Sequence, residues 1–203
     1  MRLLLAGSLS CIALTAALST MYVDQRLDYK NGASFANAGP YEQIRATATL
    51  ADGATAKVEM LKPRDPSKGN GTLFYATAPG PTEQSLLEAG FTVLRIEGNP
   101  PAAIRDVVAF LRYGGQNHLL GDQSRFLKRF IAFGPGDNAK TFAFMVKEGM
   151  AKDEKNRKLF DAFWLHDTEA AFEPEPGTTI QVTRGKPLDA LALQVNEKVT
   201  KGQ

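Results

Sequence analysis

From Thr72 onward, short apolar runs alternate with amphipathic ones, and this alternation constrains the fold more than any other feature of the chain. Runs 72–78, 91–97, 129–134, 159–165 and 178–184 have the length and apolar content of buried strands. Between them the period becomes helical. Residues 82–89 begin with Thr82 as N-cap and stop at Gly90. Residues 102–113 place Ile104, Val107, Val108 and Leu111 on one stripe and end at Gly114-Gly115, and residues 139–151 bury Phe142, Met145, Val146 and Met150. A last stripe of Leu188, Leu191, Ala192 and Val195 predicts a helix over 188–199. Strands joined through helices are parallel neighbours, because a parallel pair cannot be closed by a tight turn. The expected class is therefore α/β, a mostly parallel sheet with helices on both faces.

The front of the chain follows other rules. Ile44, Ala46, Ala48 and Leu50 alternate with Gln43, Arg45, Thr47 and Thr49, and Ala56, Val58 and Met60 alternate again. Asp52-Gly53 between them predicts a hairpin that precedes the parallel sheet. A long polar turn, Pro63 to Gly71, separates the two regions. Residues 20–40 show no period, end in Gly39-Pro40 and are expected as an extended arm. Ahead of them, Arg2, an apolar stretch from Leu3 to Leu18 and the small-x-small end Ala17-Leu18-Ser19 describe a secretory signal peptide cleaved near Ser19–Thr20. The expected organisation is a signal peptide over 1–19, the arm over 20–40 and one domain over 41–203, in a secreted or periplasmic protein. Cys11 lies inside the leader. Ser8-Leu9-Ser10 lack the Leu that a lipid-attachment site carries upstream, and cleavage at Ser19 leaves no Cys in the mature chain.

Composition narrows the chemistry. With 24 basic and 22 acidic residues the net charge is +2, which gives no electrostatic reason to expect a nucleic-acid partner. One Cys and two His, His118 and His166, are too few for a zinc site of the usual ligands, and no disulfide can form within the chain. No cofactor, and no membrane association after loss of the leader, is expected. The acidic loop with Glu169, Glu173 and Glu175 reads as a weak calcium contact or as a solvated surface, and Lys152–Lys158 reads as a solvated turn.

In an open parallel sheet, ligands gather at the carboxyl ends of the strands. The sharpest such place here is Phe133-Gly134-Pro135-Gly136-Asp137-Asn138-Ala139-Lys140, a strand-to-helix turn without a bulky residue. It has the form of a nucleophile elbow, in which Gly-x-Ser-x-Gly lifts a Ser above the sheet. Two positions after Gly134 stands Gly136, which has no side chain.

Several blocks resemble one family: Asn31-Gly32-Ala33-Ser34-Phe35 through Ala38-Gly39-Pro40-Tyr41-Glu42; Leu61-Lys62-Pro63-Arg64-Asp65-Pro66 with Gly69-Asn70-Gly71-Thr72-Leu73; Arg105-Asp106 with Phe110-Leu111-Arg112-Tyr113-Gly114; and Phe160-Asp161-Ala162-Phe163-Trp164-Leu165-His166. In order and spacing they are similar to a secreted α/β-hydrolase domain family of ester hydrolases, over roughly residues 31–170. The resemblance implies an α/β-hydrolase-like fold and ester hydrolysis. Family members carry Phe-Gly-x-Ser-Gln-Ser-Gly-Arg at the elbow, and the ungapped match sets Gly136 at the nucleophile Ser, Asp137 at the Gln, Asn138 at the second Ser, Ala139 at the Gly and Lys140 at the Arg. Two further departures are a short connection through Thr77-Ala78-Pro79-Gly80-Pro81 where the family has a longer insertion, and no His after His166 to serve as the late base.

Each candidate has a plainer reading beside it. Gly136 serves as a turn glycine. Asp137 is a carboxylate nucleophile, one residue out of place, or an N-cap for the following helix, with Asn138 competing for the cap. His166 with Asp167 forms a rudimentary acid–base pair near the elbow, or His166 is a strand-end residue bonded to a loop carbonyl. His118 is expected in a solvated loop, and Ser124, which precedes its strand, lies at the wrong end of the sheet. Three readings follow: a catalytically degenerate relative with a binding or remnant role (a pseudoenzyme), a hydrolase acting on a carboxylic ester through Asp137 or His166, and a subunit whose sheet a partner chain completes. A small-molecule ligand at the strand carboxyl ends is the partner common to the first two.

Overall fold

The alternating segments at the front become a long hairpin, with β3 (Gly39–Leu50) antiparallel to β4 (Thr55–Pro63) and the turn at Asp52-Gly53 as expected. The computed structural model describes residues 18–77, 82–114, 126–169 and 171–185. The expected 188–199 helix, His118, Ser124 and all but the end of the leader lie outside them. The remaining elements are β1 (Leu18–Asp28), β2 (Ser34–Phe35), β5 (Thr72–Ala76), α1 (Thr82–Glu88), β6 (Thr92–Ile96), α2 (Pro101–Tyr113), β7 (Arg129–Pro135), α3 (Ala139–Lys147), β8 (Ala162–His166) and β9 (Thr179–Thr183).

One sheet joins the strands in the order β1-β3-β4-β6-β5-β7-β8-β9, with β2 paired to β3 at the side. The pairs from β6 through β9 are parallel and those from β1 through β4 to β6 antiparallel. The parallel half with crossover helices is the expected architecture. The antiparallel half extends beyond the expected hairpin. Residues 18–28, which include the start of the expected arm, form β1 along β3, with register shifts between Leu18 and Thr20 and between Val23 and Gln25. These irregularities break the period of two, which is why the segment shows no alternation.

The sheet is covered on both faces. On one, Ile44, Val58, Met60, Leu73 and Leu94 pack with Ile104, Val107, Val108 and Leu111 of α2 and with Phe142 and Met145 of α3. On the other, Tyr41, Leu61, Phe74, Val93, Ile131, Phe133 and Trp164 pack with Leu86 and Leu87 of α1. After β5 the chain crosses through α1 to β6 on one side, and after β7 it crosses through α3, on the opposite face, to β8 on the other. That makes the carboxyl ends of this pair the topological switch point.

In the parallel half two boundaries differ by three residues or more from the sequence expectation. Helix α3 ends at Lys147 rather than 151, because Gly149 takes φ +70° and the chain folds back so that Met150 N donates to Met145 O at 2.6 Å. Strand β8 starts at Ala162 rather than 159, because Leu159 and Phe160 are buried in the turn that precedes it. Asp161 in that turn accepts from Arg112 at the end of α2 through both oxygens, at 2.8 and 2.9 Å, and from Phe130 N at 2.9 Å. Arg112 also donates to Leu159 O at 3.0 Å. The Phe110–Gly114 and Phe160–His166 blocks thus meet in a clamp that ties α2 to the start of β7 and β8.

Candidate functional site

The turn from β7 into α3 lies at the switch point. Gly134 allows it to be tight. A Cβ there would sit 2.9 Å from Ala139 Cα and 2.9 Å from the Phe142 ring, so α3 can lie against the strand only if residue 134 has no side chain. Gly136 follows with φ +53°, the left-handed region that L side chains avoid, and a Cβ on it would meet nothing within 4 Å. The backbone therefore keeps the form of an elbow: a close helix–strand approach, then a positive-φ residue at the tip facing open space. The turn-glycine reading of Gly136 describes its conformation.

Asp137 is 91% exposed and paired with Lys140 Nζ at 2.6 Å. The Lys140 ammonium holds its carboxyl below the usual range, through the hydrogen bond and its charge. The N-cap expectation is corrected on both candidates. Asn138 occupies the cap position of α3 in a helical conformation and makes no side-chain cap bond, and Asp137, inside the short 3-10 turn Gly136–Asn138, is held by Lys140 instead. A cap needs extended backbone to turn its oxygen toward the next N–H groups, and the turn denies that conformation.

His166 ends β8 opposite Pro135 of β7, one residue from Gly136, so the expected proximity to the elbow strand is present. Its side chain is 7% exposed, and both nitrogens are occupied. Nε2 lies 3.1 Å from Asp167 Oδ2 and Nδ1 3.0 Å from Thr183 Oγ1. The tautomer follows from the partners. Trp164 Nε1, a donor only, gives its hydrogen to Thr183 Oγ1 at 3.3 Å. His166 Nε2–H donates to the Asp167 carboxylate, and in the neutral ring this leaves Nδ1 to accept from the Thr183 hydroxyl. Asp167 is itself fixed in a left-handed conformation, φ +48°, by Gly185 N donating to its Oδ1 at 2.8 Å and by its own N donating to Thr183 O at 3.0 Å. The structure thus brings His166 and Asp167 together, and in place of the expected loop carbonyl it supplies Thr183. Asp137 and His166 are not brought together, since each is satisfied by other groups.

Gly136 offers no side chain at the elbow tip, and His166 Nδ1 is hydrogen-bonded to the Thr183 hydroxyl rather than to a group of the elbow. Thr183 is the residue that sequence reasoning missed. Its signal was the register of the last two strands, since His166 and Thr183 are paired at the same strand-end level. No group of three or more His, Cys, Asp or Glu among the described residues is placed to hold a metal, and no helix among them is long and apolar enough to cross a membrane.

No protein-family model matches the chain, and no curated protein sequence does. Among solved structures it is similar to a cold-adapted esterase from an Arctic intertidal metagenomic library, at 10% identity and TM-score 0.49, over 78% of this chain and 94% of that one. An esterase from Aspergillus oryzae is similar at 13% identity and TM-score 0.45, over 75% of this chain and 35% of that one. Brefeldin A esterase, a bacterial homologue of human hormone-sensitive lipase, is similar at 15% identity and TM-score 0.41, over 63% of this chain and 40% of its own. The chain spans less than half the length of the last two. The strand order and the elbow after β7 make the fold of the described residues α/β-hydrolase-like, with an antiparallel extension.

Proposed function

We propose that this α/β-hydrolase-like chain is an exported, catalytically degenerate relative of ester hydrolases that keeps the scaffold and acts by binding. The observation that carries the reading is the elbow itself. Its tip has the backbone of a nucleophile position and holds Gly136, while the imidazole at the end of the neighbouring strand, His166, is hydrogen-bonded to Thr183. An acyl transfer needs a nucleophile and a base within hydrogen-bond reach of each other; the elbow tip supplies no nucleophile, and the hydroxyl that reaches His166 is that of Thr183 at the end of β9, which also accepts from Trp164. Asp137, bound to Lys140 and open to water, lacks the desolvation that would make a carboxylate an effective nucleophile. Export is supported by residues 1–19, whose basic start, apolar core and small-x-small end have the form of a leader.

The test of inertness is turnover of short-chain 4-nitrophenyl esters by the purified chain, measured against an identically prepared blank. The expected rate is that of the blank. Turnover well above it, abolished by Asp137→Ala or His166→Ala, overturns the reading. Export is tested by fractionating cells that produce the full chain: the protein is expected outside the cytoplasm and shortened by about the length of the leader.

A further inference from the structure

The sheet face that is apolar beneath α1 turns polar toward β1. Gln25, Arg45, Glu59 and Arg95 stand in one row across β1, β3, β4 and β6, each opposite the next. The row lines a cavity of about 570 Å³ whose lining also includes Thr77, at the end of β5, and Glu97. None of residues 134–139 lines it.

The unused hydrogen-bonding groups in this cavity are mostly donors. Arg95 has an 11% exposed side chain whose two terminal nitrogens are taken, one by Glu59 at 2.8 Å and the other by Glu83. Its Nε is buried and has no partner. Thr77 Oγ1, also lining the cavity, is buried and unpartnered as well. Arg45, exposed at the mouth, makes no side-chain hydrogen bond or ion pair among the described residues, and neither does the Glu97 carboxylate in the same lining. A buried N–H with no acceptor is a standing cost that an oxygen ligand removes.

We propose that this cavity binds a small organic monocarboxylate, with its oxygens between the Arg45 guanidinium and Arg95 Nε–H. A planar carboxylate matches the fork of a guanidinium and supplies the missing acceptor. One negative charge balances Arg45. Lys57 and Arg95 in the lining are already paired with Asp24 and Glu59, so a second negative charge would find no free cation and would meet the Glu97 carboxylate. The site goes beyond the elbow and does not depend on how the elbow is read.

The test is a ligand-observed NMR titration of the full chain with sodium propionate, and separately with inorganic phosphate. The expected dissociation constant for propionate is on the order of 1–10 mM, as befits a ligand of so few atoms. Arg45→Ala is expected to weaken it about 10-fold, and Arg45→Lys, which keeps the charge and loses the fork, by less. Arg45 is exposed and makes no side-chain hydrogen bond or ion pair among the described residues, so thermal melts of both variants should match the parent. Asp137→Ala should leave propionate binding unchanged. The proposal is overturned by no binding at tens of millimolar propionate, by equal affinity in Arg45→Ala, or by phosphate binding more tightly than propionate. Ester turnover in the same preparation would overturn the inert-elbow reading and leave this site untouched.

Discussion

Replacing Asp161 with Ala should be the most damaging single change outside the apolar core. Its carboxylate accepts from Arg112 at 2.8 and 2.9 Å and from Phe130 N at 2.9 Å, and Lys158 Nζ lies 3.1 Å away. The side chain is 23% exposed and that of Arg112 14%, so neither charge is well hydrated in the folded state. Truncation leaves the guanidinium with the Leu159 carbonyl and the Phe130 and Tyr113 rings, and leaves the Phe130 N–H without an acceptor. Removing one partner of such a pair costs about 3 kcal/mol. With an m-value of about 2 kcal/mol/M for a chain this size, the urea midpoint should fall by about 1.5 M. Asp161→Asn keeps an acceptor for Phe130 and should lose roughly half as much. The pH dependence has a definite sign. Burial works to raise the Asp161 pKa, but the Arg112 and Phe130 hydrogen bonds outweigh it and the net shift is downward from 3.8. The stabilisation is therefore complete above the ordinary carboxylate range and lost as pH falls through the lower, folded-state value. The gap between the parent and Asp161→Ala should close below about pH 3.8. A midpoint drop under about 0.5 M at pH 7, or a coupling energy with Arg112→Met near zero in a double-mutant cycle, would refute the clamp.

The two elbow glycines should respond differently. Gly134→Ala drives a Cβ to 2.9 Å from Ala139 and Phe142 and should lower the melting temperature by about 5 °C, while Gly136→Ala, strained but unobstructed, should lower it by about half that. Gly136→Ser on its own should not produce ester turnover, because His166 remains committed to Thr183 and Asp167; nitrophenyl-ester assays read this directly. Asp106 is buried with Oδ2 unpartnered, and burial, partly offset by Arg105, raises its pKa above 3.8. Its contribution is most favourable below the unfolded value and declines as pH rises through the folded one, so parent stability relative to Asp106→Asn should improve between pH 7 and pH 4, as urea midpoints at the two values will show.

The parallel half of the fold was legible because each strand there is a continuous apolar run and each crossover helix has a clean stripe, as α2 shows with Ile104, Val107, Val108 and Leu111. The elbow was legible because it depends on Gly134 and Gly136, whose backbone requirements are visible in one sequence. β1 was not legible as a strand, since its register shifts and its Asp24, Gln25 and Arg26 erase the alternation that marks a half-buried strand. Nor was the antiparallel pairing of β4 with β6, which is fixed by tertiary packing and not by any turn between them. At the site, His166 and Asp167 were adjacent in sequence and so easily paired. Thr183 is 17 residues away and enters only through strand register. The row from Gln25 to Arg95 spans four strands and has no local signature at all.

The irregularities in β1 have a consequence beyond the chain itself. Among the described residues β1 is the outermost strand, and it is eleven residues long, enough to template a neighbouring copy. Because it falls out of step twice along its length, with Asp24 at the second break and Arg26 just beyond, a second molecule laid beside it would find matching partners over only a few residues before the spacing fails. Self-assembly into fibres is thereby discouraged at the rim where it would otherwise begin.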